Sequence, residues 1–214
     1  MMNKWLRYLF YAVIVRSVVL FVLGLNVRHR QRLPSAGPAV IVANHNSHLD
    51  TMVLISLFPL RQLAQIQPVA AADYFLRNRL LAWFALEIIG ILPIARTRSD
   101  RTQDPLVHCY EALDAGKILI FFPEGSRGEP EQLSKFKSGI AHLAEHCKQV
   151  PIVPVFMHGL GKALPKGEAL LVPFFCDVFI GEALTWQGDR KAYMQTLDAR
   201  MRSLAQEGQF QSWD

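Results

Sequence analysis

The sequence predicts an α/β domain, a central mixed sheet flanked by helices, preceded by an amino-terminal helical segment that associates with a membrane. Three observations predict it. Apolar runs of strand length, at 38–43, 117–122 and 150–155, alternate with helix-like runs, the pattern of an α/β domain. Two of those runs lead directly into polar clusters, Asn44-His45-Asn46-Ser47-His48-Leu49-Asp50 and Pro123-Glu124-Gly125-Ser126-Arg127-Gly128. Finally, charge is unevenly placed: Lys4, Arg7, Arg16, Arg28, Arg30 and Arg32 fall in residues 1–37 without an acid, leaving 17 basic against 18 acidic residues in the remainder. The expected organisation is a basic anchoring segment at 1–37 and a catalytic-sized domain at 38–214.

The basic start surrounds an apolar stretch at 8–25, interrupted by Arg16 and Ser17. At about 1.5 Å per residue an 18-residue helix would just cross a thin hydrocarbon core. Arg16 near its middle would cost about 2.5–3.5 kcal/mol on insertion. A helix embedded in the membrane or lying in its interface, broken near Arg16, fits better than a simple span, and a first helix packed on the domain core is the alternative. A cleaved signal peptide is disfavoured because Arg16 splits the apolar region. Nucleic acid fits poorly, since the bases are interleaved with aliphatics and no recognition motif is present.

The run Pro38-Ala39-Val40-Ile41-Val42-Ala43 follows the turn residues Pro34-Ser35-Ala36-Gly37 and reads as a buried strand. Beyond the polar cluster, residues 51–58 form a buried helix that stops at Pro59. Ser47 suits its N-cap and Asp50 its third position, the spacing of a capping box. His45 and Asp50 lie five apart, which on one helix would point them about 140° away from each other. With His45 in the preceding turn, however, the chain can fold back so that the imidazole meets the carboxylate, as a general base requires. A purely capping Asp50 is the alternative.

Residues 80–92 change from helix to strand near Gly90, and Arg96 then stands at a strand end. Residues 97–116 are helical in character and stop at Gly116. Residues 117–122 form a compact strand, followed by glycines at 125 and 128 and by Arg127, a side chain suited to phosphate or carboxylate. Ser126 is not a nucleophile-elbow serine, because Glu124 occupies the place of the first glycine. Helix 139–148 carries His142, His146 and Cys147, but no second ligand pair follows at metal spacing. Cys109, Cys147 and Cys176 are odd in number and form no Cys-x-x-Cys pair, which points to a reducing compartment. Pro151 and Pro154 remove ladder donors from strand 150–155 and predict an edge or irregular strand. A further strand at 170–180, bent at Pro173, and a terminal amphipathic helix at 189–206 complete the chain.

Taken together, four stretches between residues 38 and 157 resemble the glycerolipid acyltransferases typified by bacterial 1-acyl-glycerol-3-phosphate acyltransferase. Asn44 to Asp50 matches Asn-His-x-Ser-x-x-Asp, and Phe122-Pro123-Glu124-Gly125-Ser126-Arg127 matches Phe-Pro-Glu-Gly-Ser/Thr-Arg. Phe136-Lys137-Ser138-Gly139 and Val150-Pro151-Ile152-Val153-Pro154-Val155 resemble two further segments. Pro93, where an aromatic residue is usual, and Gly128, where a hydroxyl residue is common, depart from the pattern.

The resemblance implies that His45 is a general base with Asp50 as partner. It also implies that Glu124, Gly125, Ser126 and Arg127 with Arg96 line the acceptor site, Lys137 being a further cation. The implied reaction moves a fatty acyl group from acyl-CoA or acyl-carrier protein to the hydroxyl of a lysophospholipid, with lysophosphatidate the leading acceptor. It needs no metal and no resident cofactor. The implied setting is the cytoplasmic face of the inner membrane. A related lysophospholipid acceptor, a thioesterase or lipase using water, and a non-catalytic lipid-binding protein are the competing readings.

Overall fold

The computed structural model describes residues 3–95, 104–128, 133–163 and 174–210. Seven strands among them, β1 (Leu23–Arg28), β2 (Ala39–Ala43), β3 (Ile66–Ala71), β4 (Leu92–Ile94), β5 (Ile118–Phe121), β6 (Ile152–His158) and β7 (Phe174–Ile180), form one sheet in the order β1-β7-β6-β2-β5-β3-β4. β6, β2, β5, β3 and β4 are parallel; β7 runs antiparallel to β6 and parallel to β1. The expected mixed sheet is therefore present.

All five residues of β2 are fully buried, because both faces of the sheet are covered, which explains why its sequence is continuously apolar rather than alternating. Ala39, Ile41 and Ala43 face a core shared with α3 (Leu49–Ser56) and the amino-terminal helical segment. Val40 and Val42 face a second core shared with α6 (Val107–Asp114), α7 (Gly139–His146) and α9 (Arg190–Glu207). Short helices α4 (Ala72–Phe75), α5 (Arg79–Trp83) and α8 (Leu160–Ala163) follow β3 and β6. The π-helical turn Phe84–Ile89 ends on Gly90, whose φ of 75° permits the chain to reverse into β4.

The amino-terminal apolar stretch is divided between two kinds of structure. Helices α1 (Lys4–Leu9) and α2 (Arg16–Phe21) are joined by the π-helical run Phe10–Val15, so Arg16 follows a loosened turn rather than a break. Leu23, Leu25 and Val27 then alternate inward along β1 and pair with β7, which corrects the expectation of a helix running to residue 25. A period of two and Gly24 favour strand over helix there. No helix among the described residues is long and apolar enough to cross a membrane.

β6 is also a correction, being an interior strand of seven residues between β7 and β2. The N–H of Ile152 bonds to Leu184 on one side, and that of Met157 to Asn44 on the other. By alternation, Pro154 faces the β7 side, just past the last ladder pair, Val155 with Ile180. Its carbonyl accepts the Gly181 N–H at 2.8 Å, and only one bond of that pair is lost. Arg96 and residues 170–173, expected at strand ends and in a bent strand, lie outside the described residues.

Candidate active site

β2 and β5 are neighbours in register, Val42 opposite Phe121, so the polar turns that follow them meet at one end of the sheet. The first turn is closed by its own groups. Asn44 donates from Nδ2 to the Met157 carbonyl at 2.8 Å and accepts the Met157 N–H at 2.7 Å. A buried side-chain amide thus prolongs the β2–β6 pairing by one residue.

Downstream, Asp50 Oδ2 accepts three hydrogen bonds, from His45 Nδ1 at 2.9 Å and from the Asn46 and Ser47 N–H groups at 2.7 and 2.8 Å. The carboxylate side chain is 1% exposed, the imidazole 20%. All three partners are donors, so Nδ1 carries its proton and the acid sets the tautomer and tilt of the ring. Helix α3 begins at Leu49, one residue later than a Ser47 N-cap requires, and its N-cap His48 makes no side-chain capping bond. Ser47 Oγ instead accepts the Leu49 N–H. Pairing and capping are not alternatives here, since one oxygen of Asp50 serves His45 and the start of the helix together.

The second turn supplies a platform and a carboxylate. The Phe122 ring stacks against His45 with centroids 4.2 Å apart. Glu124 Oε1 accepts the His45 N–H at 3.1 Å, and the Gly128 N–H donates to the His45 carbonyl at 2.9 Å, so the two turns grip the same residue. Glu124 is 4% exposed. Burial raises its carboxyl above the ordinary range, opposed by the His45 N–H and the Ser134 hydroxyl.

Gly125 has a φ of +74°, and a Cβ there would fall 2.5 Å from Lys137 Nζ. Glycine is needed both for the turn and for the lysine chain that lies across it. Lys137 is anchored by its N–H to the Pro123 carbonyl at 2.8 Å, and its side chain is exposed, as is Ser126, while Arg127 is half-buried. Burial, followed by the charges of Arg127 and His45, pushes the imidazole of His48 below its ordinary value.

Of the residues singled out in the sequence, the structure brings His45, Asp50, Glu124, Gly125, Ser126, Arg127 and Lys137 to the same end of the sheet. Asn44, Phe122 and His48 are additions. A signal for Asn44 existed, an amide immediately after a buried strand, but its partner lies 113 residues away. Helix α7 carries no comparable cluster: the ring of His146 stacks on Tyr110 with centroids 3.8 Å apart. Among the described residues no group of three His, Cys, Asp or Glu side chains is placed to hold a metal ion.

The arrangement combines an oriented imidazole, a buried acid and a cationic rim, the parts needed to deprotonate a hydroxyl on a molecule that carries an anion. Known proteins share parts of this chain's sequence and its fold. The chloroplastic 1-acyl-sn-glycerol-3-phosphate acyltransferase of Arabidopsis thaliana is 33% identical over 145 residues, 67% of this chain and 38% of the relative. The bovine 1-acyl-sn-glycerol-3-phosphate acyltransferase alpha is 27% identical over 184 residues, 86% of this chain and 62% of the relative. The chain thus spans between about two fifths and three fifths of the length of these relatives. The crystal structure of the 1-acyl-sn-glycerophosphate (LPA) acyltransferase PlsC from Thermotoga maritima superposes with a TM-score of 0.76 at 18% identity, covering 99% of this chain and 81% of that one, a likeness of fold. The sequence pattern of the Acyltransferase family matches residues 24–158, and the chain belongs to that family.

Proposed function

We propose that the protein transfers a fatty acyl group from a thioester, acyl-CoA or acyl-carrier protein, to the free hydroxyl of a lysophospholipid, with 1-acyl-glycerol-3-phosphate as the preferred acceptor and phosphatidate as product. The observation that carries this reading is the 2.9 Å bond between His45 Nδ1 and a buried Asp50 that accepts two further N–H groups. With Nδ1 held by the acid, Nε2 of His45 removes the acceptor proton as oxygen attacks the thioester carbonyl. The same nitrogen then returns the proton to the departing thiolate. No acyl-enzyme forms, and Asp50 stabilises the imidazolium between the two transfers.

Arg127 and Lys137 are suited to the acceptor phosphate, with Arg96 as a third cation, and the hydroxyl of Ser126 stands exposed beside them. Glu124 orients the His45 backbone, and its raised carboxyl can hydrogen-bond a glycerol hydroxyl. The two relatives, both 1-acyl-sn-glycerol-3-phosphate acyltransferases, support this acceptor over a lysolipid with a larger head group.

The amino-terminal segment within residues 1–37 serves as the membrane-docking part, lending β1 to the sheet, while residues 38–214 carry the chemistry. Trp5, Leu20, Phe21 and Phe175 are each more than 70% exposed. β1 and β7 run opposite to β2, so Leu23 and its partner Phe174 lie at the same end of the sheet as His45. The apolar tip at Leu20, Phe21 and Phe175 would enter the bilayer beside the site, where acceptor and product reside. Free thiols at Cys109, Cys147 and Cys176 favour the cytoplasmic face.

The test is incubation with palmitoyl-CoA and vesicles containing lysophosphatidate or lysophosphatidylcholine, scoring phospholipid and free fatty acid together. Phosphatidate formed in preference to phosphatidylcholine is the expected result. Free fatty acid without new phospholipid would contradict acyl transfer and point to hydrolysis.

A further inference from the structure

A second set of cations lies at the opposite end of the sheet, around the first residue of β3 and the turn that leads into β4. Arg7, on α1, is 2% exposed. Its Nη2 donates to the Ile66 carbonyl at 3.0 Å, while its Nε has no acceptor. Its guanidinium rests against Gly90, where a Cβ would fall 2.5 Å from Cζ, so the glycine keeps open the space the cation occupies. Burial lowers the Arg7 guanidinium below its ordinary value, and burial also pushes the neighbouring Tyr11 hydroxyl up, so the phenol offers no negative charge. The nearby carboxylate of Glu87 accepts the N–H of Asn3.

Arg7 lines a hollow of about 140 Å³ together with Lys4, Tyr8 and Arg61, over an aliphatic floor that includes Leu60 and Leu63. Among the described residues, none of these three cations forms an ion pair. A buried guanidinium without an ion-pair partner is costly, and an anion in a hollow lined by three basic residues would offset that cost.

We propose that Lys4, Arg7 and Arg61 form a binding site for a phosphate group, carried by a lipid head group or free in solution, separate from the catalytic end. A tetrahedral anion presents several oxygens to cations arriving from two elements, and Arg7 and Arg61 supply planar forks of donors that match it. Lys4, Trp5, Tyr8 and Leu9 interleave basic, aromatic and aliphatic side chains at the outer end of the helix, the composition of a segment at head-group depth. The site goes beyond the catalytic reading and does not depend on it.

The experiment uses the full chain carrying Arg127→Ala, which removes a cation proposed for the acceptor phosphate at the catalytic end. In one arm, inorganic phosphate is titrated at fixed ionic strength and followed by the rise in melting temperature. In the other, flotation with phosphatidylcholine vesicles, with and without phosphatidylglycerol, is measured in raised salt that screens diffuse attraction. Arg61→Ala, at an exposed position in the segment Leu60–Gln65, is compared with Arg16→Ala, an equal loss of charge at an exposed position on α2. The site requires Arg61→Ala to weaken binding about tenfold in at least one arm, with Arg16→Ala within about twofold of the parent. A vesicle response assigns the phosphate to a lipid, and a response to inorganic phosphate alone assigns it to a soluble ion. Equal behaviour of the two variants in both arms, or no binding in either, overturns the proposal.

Discussion

The turn after β2 is closed by its own residues, whereas the turn after β5 is held from outside. In the first, Asp50 gathers three donors from within five residues, and the turn is buried apart from the imidazole and His48. In the second, Gly125 takes a left-handed conformation and Lys137, twelve residues on in the chain, is laid across it, with Ser126 exposed and Arg127 half-buried. The difference separates two tasks. A proton-transfer pair needs a fixed distance and tautomer, which a short hydrogen-bonded turn supplies at low entropic cost. A rim that accepts an anionic head group needs cations that can adjust, which exposed long side chains supply.

Substitutions in the two turns should therefore fail in different ways. The largest effect is expected from Asp50→Asn. An amide keeps an acceptor for one backbone N–H but cannot stabilise an imidazolium, so kcat should fall about 100-fold or more while KM changes little. A matched fall in affinity instead would mean that Asp50 is mainly structural. Gly125→Ala comes next: φ near +74° is strained for alanine, and the new methyl displaces Lys137. Stability should drop by about 1–2 kcal/mol, read as a urea midpoint, and the acceptor KM should rise more than kcat falls. Unchanged KM would break the link between the lysine and the acceptor.

The smallest effect concerns Glu124, whose carboxyl is raised above 4.5 by burial. A raised carboxyl favours the protonated form in the folded state. Its contribution is thus present below the ordinary value and is lost as pH rises through the folded one. Glu124→Gln should gain stability relative to the parent between pH 4 and pH 7. Parallel curves over that range would show that the acid is not desolvated.

The same contrast explains what was legible in the sequence. His45 and Asp50 could be paired from spacing because five residues with a helix start leave few ways to join them. The strand that delivers them was equally plain, since a strand buried on both faces is continuously apolar. Arg127 could be read from its place beside two glycines after a strand, but Lys137 was readable only through a resemblance, because nothing local brings residue 137 to residue 125. Asn44 was hidden for the same reason, its partner Met157 being supplied by β6. The prolines of β6 misled because the donor at Pro154 falls where the β7 ladder has already ended, so an interior strand loses only one bond. The apolar stretch at 8–25 hid a change of period at Leu23, which only pairing with β7 resolves.

The most direct measurement is acyl transfer from palmitoyl-CoA to lysophosphatidate by the parent protein and by His45→Ala, at equal folded concentration, with phosphatidate and fatty acid scored in the same sample. If the imidazole held by Asp50 is the base, phosphatidate formation falls by about 100- to 10,000-fold in the variant without a shift in melting temperature large enough to unfold it. Phosphatidate made at the parental rate by His45→Ala would contradict the proposed mechanism.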